Sequence, residues 1–166
     1  FRHEVASPLY KCEDSCYISI STPGNSIVFG NGQSGGDLSR TACSGASGKG
    51  RGLIMGGHSG RYSGPQVYAD IEYVTISTPG NVTNFGNLTT ARTYSEACSN
   101  GYRALNISGL LGSSTTANAG TWAWKQNVDY VTIATAANAG DFGDLISPWN
   151  GGTYGAEGDG VYAVAL

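Results

Sequence analysis

A nine-residue phrase occurs three times, and it constrains this chain more than any other feature. Tyr17-Ile-Ser-Ile-Ser-Thr-Pro-Gly-Asn25 returns as Tyr73-Val-Thr-Ile-Ser-Thr-Pro-Gly-Asn81 and again as Tyr130-Val-Thr-Ile-Ala-Thr-Ala-Ala-Asn138, at steps of 56 and 57 residues. Self-similarity at a fixed step marks a repeat architecture, in which each copy buries an apolar face on its neighbour. Four residues after each Asn stands Phe-Gly: Phe29-Gly30, Phe85-Gly86 and Phe142-Gly143. Farther on, Ala42-Cys43-Ser44 matches Ala97-Cys98-Ser99, which puts Cys43 and Cys98 at one repeat position, with Gly155 in the third copy.

The frame of the repeat follows from the same alignment. Gly160-Val161-Tyr162 lays on Gly52-Leu53-Ile54, and residues 1–16 fall in the slot that 57–72 fill before the second phrase. The expectation is one all-β domain over residues 1–166, made of three circularly permuted repeats of about 56 residues. A start at Phe1 without Met reads as a processed or trimmed product.

Each copy reads as strands. Tyr73-Val-Thr-Ile-Ser77 alternates ring or aliphatic with hydroxyl and is rich in β-branched residues, the pattern of a half-buried strand. Thr78-Pro79-Gly80-Asn81 ends it, since Pro presets one turn dihedral and Gly or Asn accepts positive φ. Arg51-Gly-Leu-Ile-Met-Gly-Gly57 is a short buried strand closed by a Gly pair, and Gln66 to Glu72 is another alternating run. With one strand around Cys43, each repeat holds about four strands and no helical periodicity.

Composition excludes several functions. Only 13% of residues are charged, with 9 Lys or Arg against 12 Asp or Glu and a net charge of −3. That is about half the usual charged share; the 26 Gly and 10 Tyr fit short strands, tight turns and aromatic burial. No run of Lys or Arg supplies the attraction that nucleic acid or an anionic membrane needs, so neither is an expected partner. No apolar window is long enough for a membrane-spanning helix.

Asp37-Leu-Ser-Arg40, a strand through Cys43, Gly52-Leu-Ile-Met-Gly-Gly57 and Val67 to Thr75 together resemble one kelch-type β-propeller blade, in which a Gly pair closes the second strand. The wording Tyr130-Val-Thr-Ile133 followed by Asp141-Phe-Gly-Asp-Leu145 is similar to repeats in structural proteins of tailed phages and related virions. The resemblance implies three kelch-like four-stranded antiparallel blades. It departs in the second copy, where Ile107-Ser-Gly-Leu110 replaces Met55-Gly-Gly-His58 and loses the Gly pair. Because propellers have four to eight blades, three leave open alternatives: two chains in one six-bladed ring, edges paired with other subunits, or a three-fold β-trefoil or β-prism.

Little catalytic chemistry is present. Ser44-Gly-Ala-Ser-Gly48 fails the nucleophile-elbow spacing, and the two histidines, His3 and His58, lack a triad context. Asp141, Asp144, Glu157 and Asp159 suggest a glycosidase carboxylate pair, but Asp144 sits where Asn31 and Asn87 sit and reads as a turn residue. Gly45 to Gly52 lacks the phosphate-loop spacing and reads as a hairpin turn. Lys49, Arg51 and Arg61 form the only local basic group, read as a solvated loop. Cys12 and Cys16 admit two states: a disulfide closed by a turn through Glu13-Asp14-Ser15 in an oxidising compartment, or two free thiols. No metal site and no cofactor are expected.

Binding residues are better represented. Trp122 and Trp124 alternate on one expected strand and face one side; with Tyr102 they are candidates for gripping sugar faces, core packing being the other reading of the two Trp. Asn81-Val-Thr, Asn87-Leu-Thr and Asn106-Ile-Ser are glycosylation triplets. The functional expectation is a non-enzymatic structural or interaction protein, a virion decoration, fibre or spike component that assembles through sheet edges with itself or other virion proteins. The alternative is an extracellular lectin-like module that binds surface glycans.

Overall fold

The computed structural model describes residues 14–31, 40–59, 66–111, 123–148, 156–158 and 161–165. They form strands, turns and bends, with no helix. The first eight strands are β1 (Asp14–Tyr17), β2 (Ile27–Asn31), β3 (Arg40–Thr41), β4 (Ser44–Gly48), β5 (Arg51–Met55), β6 (His58–Ser59), β7 (Asp70–Thr75) and β8 (Thr83–Asn87). The others are β9 (Glu96–Ser99), β10 (Arg103–Ile107), β11 (Leu110–Leu111), β12 (Ala123–Trp124), β13 (Asn127–Thr132), β14 (Gly140–Asp144), β15 (Ala156–Gly158) and β16 (Ala163–Ala165).

Two antiparallel four-stranded sheets, β4-β5-β7-β8 and β9-β10-β13-β14, form the body of the protein. The remaining sheets among the described residues are two-stranded: β1-β2, β3-β6, β11-β12 and β15-β16, and none closes on itself. The two large sheets share one register. Leu53 opposes Tyr73 and Met55 opposes Ile71 in the first; Leu105 opposes Tyr130 and Ile107 opposes Val128 in the second. Alternation puts these residues on one face of each sheet, while Gly52 and Val74, or Ala104 and Val131, occupy the other.

Each phrase copy contributes a strand and the turn after it. The strand ends at Thr75 or Thr132, two residues short of the length read from alternation, because Thr78 N–H bonds the Thr75 carbonyl and Thr135 N–H the Thr132 carbonyl. The following Phe returns against the Tyr that opened the phrase. Tyr17–Phe29, Tyr73–Phe85 and Tyr130–Phe142 are all edge-to-face pairs with centroids 5.8, 6.0 and 6.1 Å apart, a geometry favoured by the ring quadrupole.

The large sheets stack face to face. Leu53, Met55, Ile71, Phe85 and Leu88 of the first form one buried cluster with Ala104, Val131 and Ile133 of the second. A polar bond crosses the same junction: Asn106 Nδ2 donates to Ser44 Oγ at 2.6 Å, and on its own side to Ser95 Oγ at 2.9 Å. The outer face of the second sheet carries its own smaller cluster of Cys98, Ile107 and Val128, with Leu105 and Leu145 packed on it.

The register corrects two sequence equivalences. Cys98 opposes Leu105 as Ala46 opposes Leu53, so Cys98 matches Ala46, and Cys43 lies before β4 rather than in it. Cys43 instead takes the place of Ser95, each following a residue of positive φ, Ala42 (53°) or Tyr94 (54°). At the end of the chain, Gly158 opposes Ala163 as Ser99 opposes Ala104, so Ala163-Val164-Ala165, not 160–162, match Gly52-Leu53-Ile54. The first connection is shorter, Gly48 opposing Arg51 directly across Lys49-Gly50. Finally, the backbone of the Gly pair persists in the second sheet: Gly56 (63°) and Gly57 (99°) are matched by Ser108 (59°) and Gly109 (115°). Ser108 holds this left-handed position, which disfavours a side chain, by donating its hydroxyl to the Lys125 carbonyl at 2.7 Å.

Candidate functional site

The polar interior of the protein is built around two arginines. Arg92, 1% exposed, donates through Nη2 to Asp129 Oδ1 at 2.9 Å and through Nη1 to the carbonyls of Ser108 at 3.3 Å and Asn127 at 3.1 Å. Asp129, equally buried, also accepts the Thr89 N–H and hydroxyl, each at 2.7 Å. One sheet earlier Arg40 pairs with Glu72 and donates through Nη1 to the carbonyls of Gly56 at 3.3 Å and Asp70 at 3.2 Å. Each guanidinium thus ties the bend after one strand to the start of the next. Both ion pairs are buried and further hydrogen-bonded, the condition under which such pairs brace a fold.

Sequence reading missed both pairs, although a signal exists in Arg40-Thr41 and Arg92-Thr93. In the phrase copies Glu72 and Asp129 immediately precede Tyr73 and Tyr130, and the residue preceding Tyr17 is Cys16. Counting seven residues back from Gly158, as Arg92 stands seven before Ser99, gives Gly151 in the sequence. Acid and arginine are absent together from the third copy.

A second polar group surrounds His58, whose Nδ1 lies 2.8 Å from Thr93 Oγ1 and whose Nε2 lies 3.2 Å from Thr41 Oγ1. Burial pushes its pKa below the ordinary histidine value. Cys43 packs against Gly57, the residue before His58, and burial raises its thiol pKa, opposed by the Arg40 charge. No hydroxyl nucleophile activated by an acid–base pair stands out here; both threonines serve the imidazole.

Of the aromatics expected to grip sugars, the described Tyr102 and Trp124 stand toward opposite ends of β10. Tyr102 is exposed at the turn before β10, with Lys49 Nζ 3.5 Å from its ring centroid and covering one face. Trp124 is half-buried on β12, opposite Leu110 beyond the far end of β10. The five residues of β10 separate them, about 16 Å at 3.3 Å per residue. Trp122 lies outside the described residues, as do Cys12, Arg61 and Asp159. Cys16 is exposed and its thiol is free.

Other candidates are placed as follows. Asp141 and Asp144 are exposed on β14, where Asp141 Oδ1 accepts the Gly143 N–H at 3.0 Å. Asn31, Asn87 and Asp144 do share one place, but at the end of a strand rather than in a turn. Arg51 is not a solvated loop residue: its guanidinium lies 4.5 Å from the Tyr73 ring centroid and bonds the Ile133 carbonyl at 2.9 Å. Asn106 is buried with its Nδ2 fully engaged, which excludes it as a glycan acceptor in the folded protein. Among the described residues no three His, Cys, Asp or Glu side chains gather to hold a metal.

One open cavity of about 480 Å³ lies on the outer face of the β9-β10-β13-β14 sheet. Leu105, Ile107, Val128, Phe142 and Leu145 form its apolar floor, with Arg103 and Asp144 at its margin and Val161 and Tyr162 lining it from the chain end. No protein-family model matches the chain, and no curated protein matches it.

Proposed function

We propose that this is a non-enzymatic structural and interaction protein, a virion component of the decoration, fibre or spike kind. In this reading residues 1–166 form one domain of three circularly permuted, kelch-like propeller blades that assemble through their sheet edges. The observation that carries it is the use of one sheet-on-sheet contact more than once: β1-β2 lies on the β4-β5-β7-β8 sheet in the way that sheet lies on β9-β10-β13-β14. In the first of these contacts Asn31 N–H bonds Asn81 Oδ1 at 2.9 Å, and in the second Asn87 N–H bonds Asn138 Oδ1 at 3.0 Å. A contact that propagates by repetition is suited to building assemblies. Four antiparallel strands in each large sheet also support a blade over the hairpin triplets of a trefoil. Its place is the virion or the extracellular space, with no cofactor, nucleic acid or membrane as partner.

The test is the solution mass of the purified chain by light scattering across a dilution series, with a glycan array probed using the same sample. Assembly that resists dilution, without glycan binding, is the expected result. Exposed Tyr102 and half-buried Trp124 favour the lectin-like alternative; glycan binding lost in Trp124→Ala or Tyr102→Ala would replace the structural reading with it.

A further inference from the structure

We infer that a second copy of this chain docks head to tail, its β1-β2 end seated on the exposed outer face of the β9-β10-β13-β14 sheet and its β1 paired with β16. The inference deepens the structural reading above and rests on it. Four sets of residues show that the two ends of the protein are the separated halves of the junction seen inside it.

The first is the run of backbone contacts between successive phrase turns. Val82 N–H bonds the Asn31 carbonyl at 3.2 Å and Ala139 N–H bonds the Asn87 carbonyl at 2.8 Å, alongside the two Asn side-chain bonds already described. The next members of the series are Asp144 at one end of the protein and Asn25-Ser26 at the other.

The second is a glycine with no neighbour. A Cβ on Gly30 would strike the Gly80 carbonyl, and one on Gly86 the Ala137 carbonyl, so these strands approach too closely for a side chain. Gly143 holds the same place in β14 and Gly24 the same place as Gly80, yet each faces open space.

Burial is the third. Phe85 is 3% exposed beneath the second sheet, whereas its counterpart Phe142 is 54% exposed. On the opposing side of the junction Val131 and Ile133 are 4% and 0% exposed, whereas Ile18 and Ile20 are 59% and 102% exposed. Ile76 is 53% exposed, at the place that β15-β16 of a preceding copy would cover. The fourth is Arg51, which crosses the internal junction to the Ile133 carbonyl at 2.9 Å. Arg103 is its counterpart, laid over the Tyr130 ring at 5.0 Å from the centroid as Arg51 is over Tyr73; in the joint its acceptor would be the Ile20 carbonyl of the neighbouring copy.

The strand edges agree. In each large sheet the second strand pairs with the third, β5 with β7 and β10 with β13. β16 corresponds to the second strand and β1 to the third; joined between copies, they complete β15-β16-β1-β2. The internal register places Val164 opposite Tyr17 and Ala165 opposite Cys16. Because the two surfaces differ, the contact is heterologous, and its repetition makes a closed ring or a filament.

The test uses Ile20→Asp and Phe142→Asp, one at each end and both at exposed side chains, with circular dichroism confirming the fold. Wild type is expected to form an assembly that resists dilution, and each variant alone to need at least a tenfold higher concentration to associate. An equimolar mixture of the two, each with one intact end, should form a dimer and stop there. In a C12S background, A165C under mild oxidation should link position 165 to Cys16 of a neighbouring copy, read by peptide mapping. Assembly that survives both substitutions, or a mixture that forms no dimer, overturns the joint and leaves the structural reading standing. A wild-type chain that stays monomeric at every concentration overturns both.

Discussion

Arg92 and Asp129 lie 2.9 Å apart with both side chains 1% exposed, and the carbonyls of Ser108 and Asn127 share the same guanidinium. Removing one partner strands the other charge in the interior, at a cost of about 3–5 kcal/mol. Arg92→Ala and Asp129→Asn should each lower unfolding stability by that order in urea titration. The double variant should lose less than the sum; additive losses would mean that the two groups do not act as a pair.

Gly86 and Gly143 have similar backbones, with φ of 153° and 138°, but different surroundings. In the isolated chain Gly86→Ala pays backbone strain and collides with the Ala137 carbonyl, while Gly143→Ala meets only the strain. Overpacking of this kind costs about 1–3 kcal/mol, so the first variant should be less stable by that margin. Thermal denaturation of the two at low concentration decides it; equal stability would contradict the close approach.

His58 is held below its ordinary pKa by burial, so the unfolded chain takes up its proton first. Its contribution to stability is therefore full above the unfolded value of about 6.5 and declines as pH falls through that value toward the folded one. Urea midpoints measured between neutral and mildly acidic pH should fall on acidification. His58→Gln, which keeps a polar group toward Thr41 and Thr93, should flatten that part of the profile.

Cys16 is exposed with a free thiol, whereas burial raises the pKa of Cys43 and lowers its thiolate fraction. The thiolate is the nucleophile, so brief alkylation at neutral pH followed by peptide mass mapping should label Cys16 well before Cys43. Equal labelling would mean that the bend around Cys43 opens readily.

Much of the fold is legible in the chain because its signals are local. Tyr-x-Thr-x alternation followed by a turn and Phe-Gly suffices to set a strand, its turn and the edge-to-face Tyr–Phe pair, which recurs in all three phrase copies. The first two strands of each repeat are less legible. Arg40 precedes Tyr73 by 33 residues and Arg92 precedes Tyr130 by 38, because the intervening connections differ in length. Matching Cys43 to Cys98 therefore slid the frame by three residues and hid the arginines that pair with Glu72 and Asp129. The placement of the aromatics is illegible for another reason: alternation puts Trp124 and Tyr102 on their own strand and turn, but no local rule says which ends of β10 they occupy.

By itself the sequence determined the all-β class, the repeat step, and the turns that end the phrase strands, since these depend on φ preferences and the two-residue period of a strand. Only the tertiary structure decided which face of each sheet meets the next. That choice buries Ile133 and leaves Ile20 bare, and it pairs Arg92 with Asp129 across 37 residues. Burial and ion pairing are set by what stacks on a residue from a distant part of the chain, and closely similar phrases acquire different environments when one lies inside the stack and another at its end.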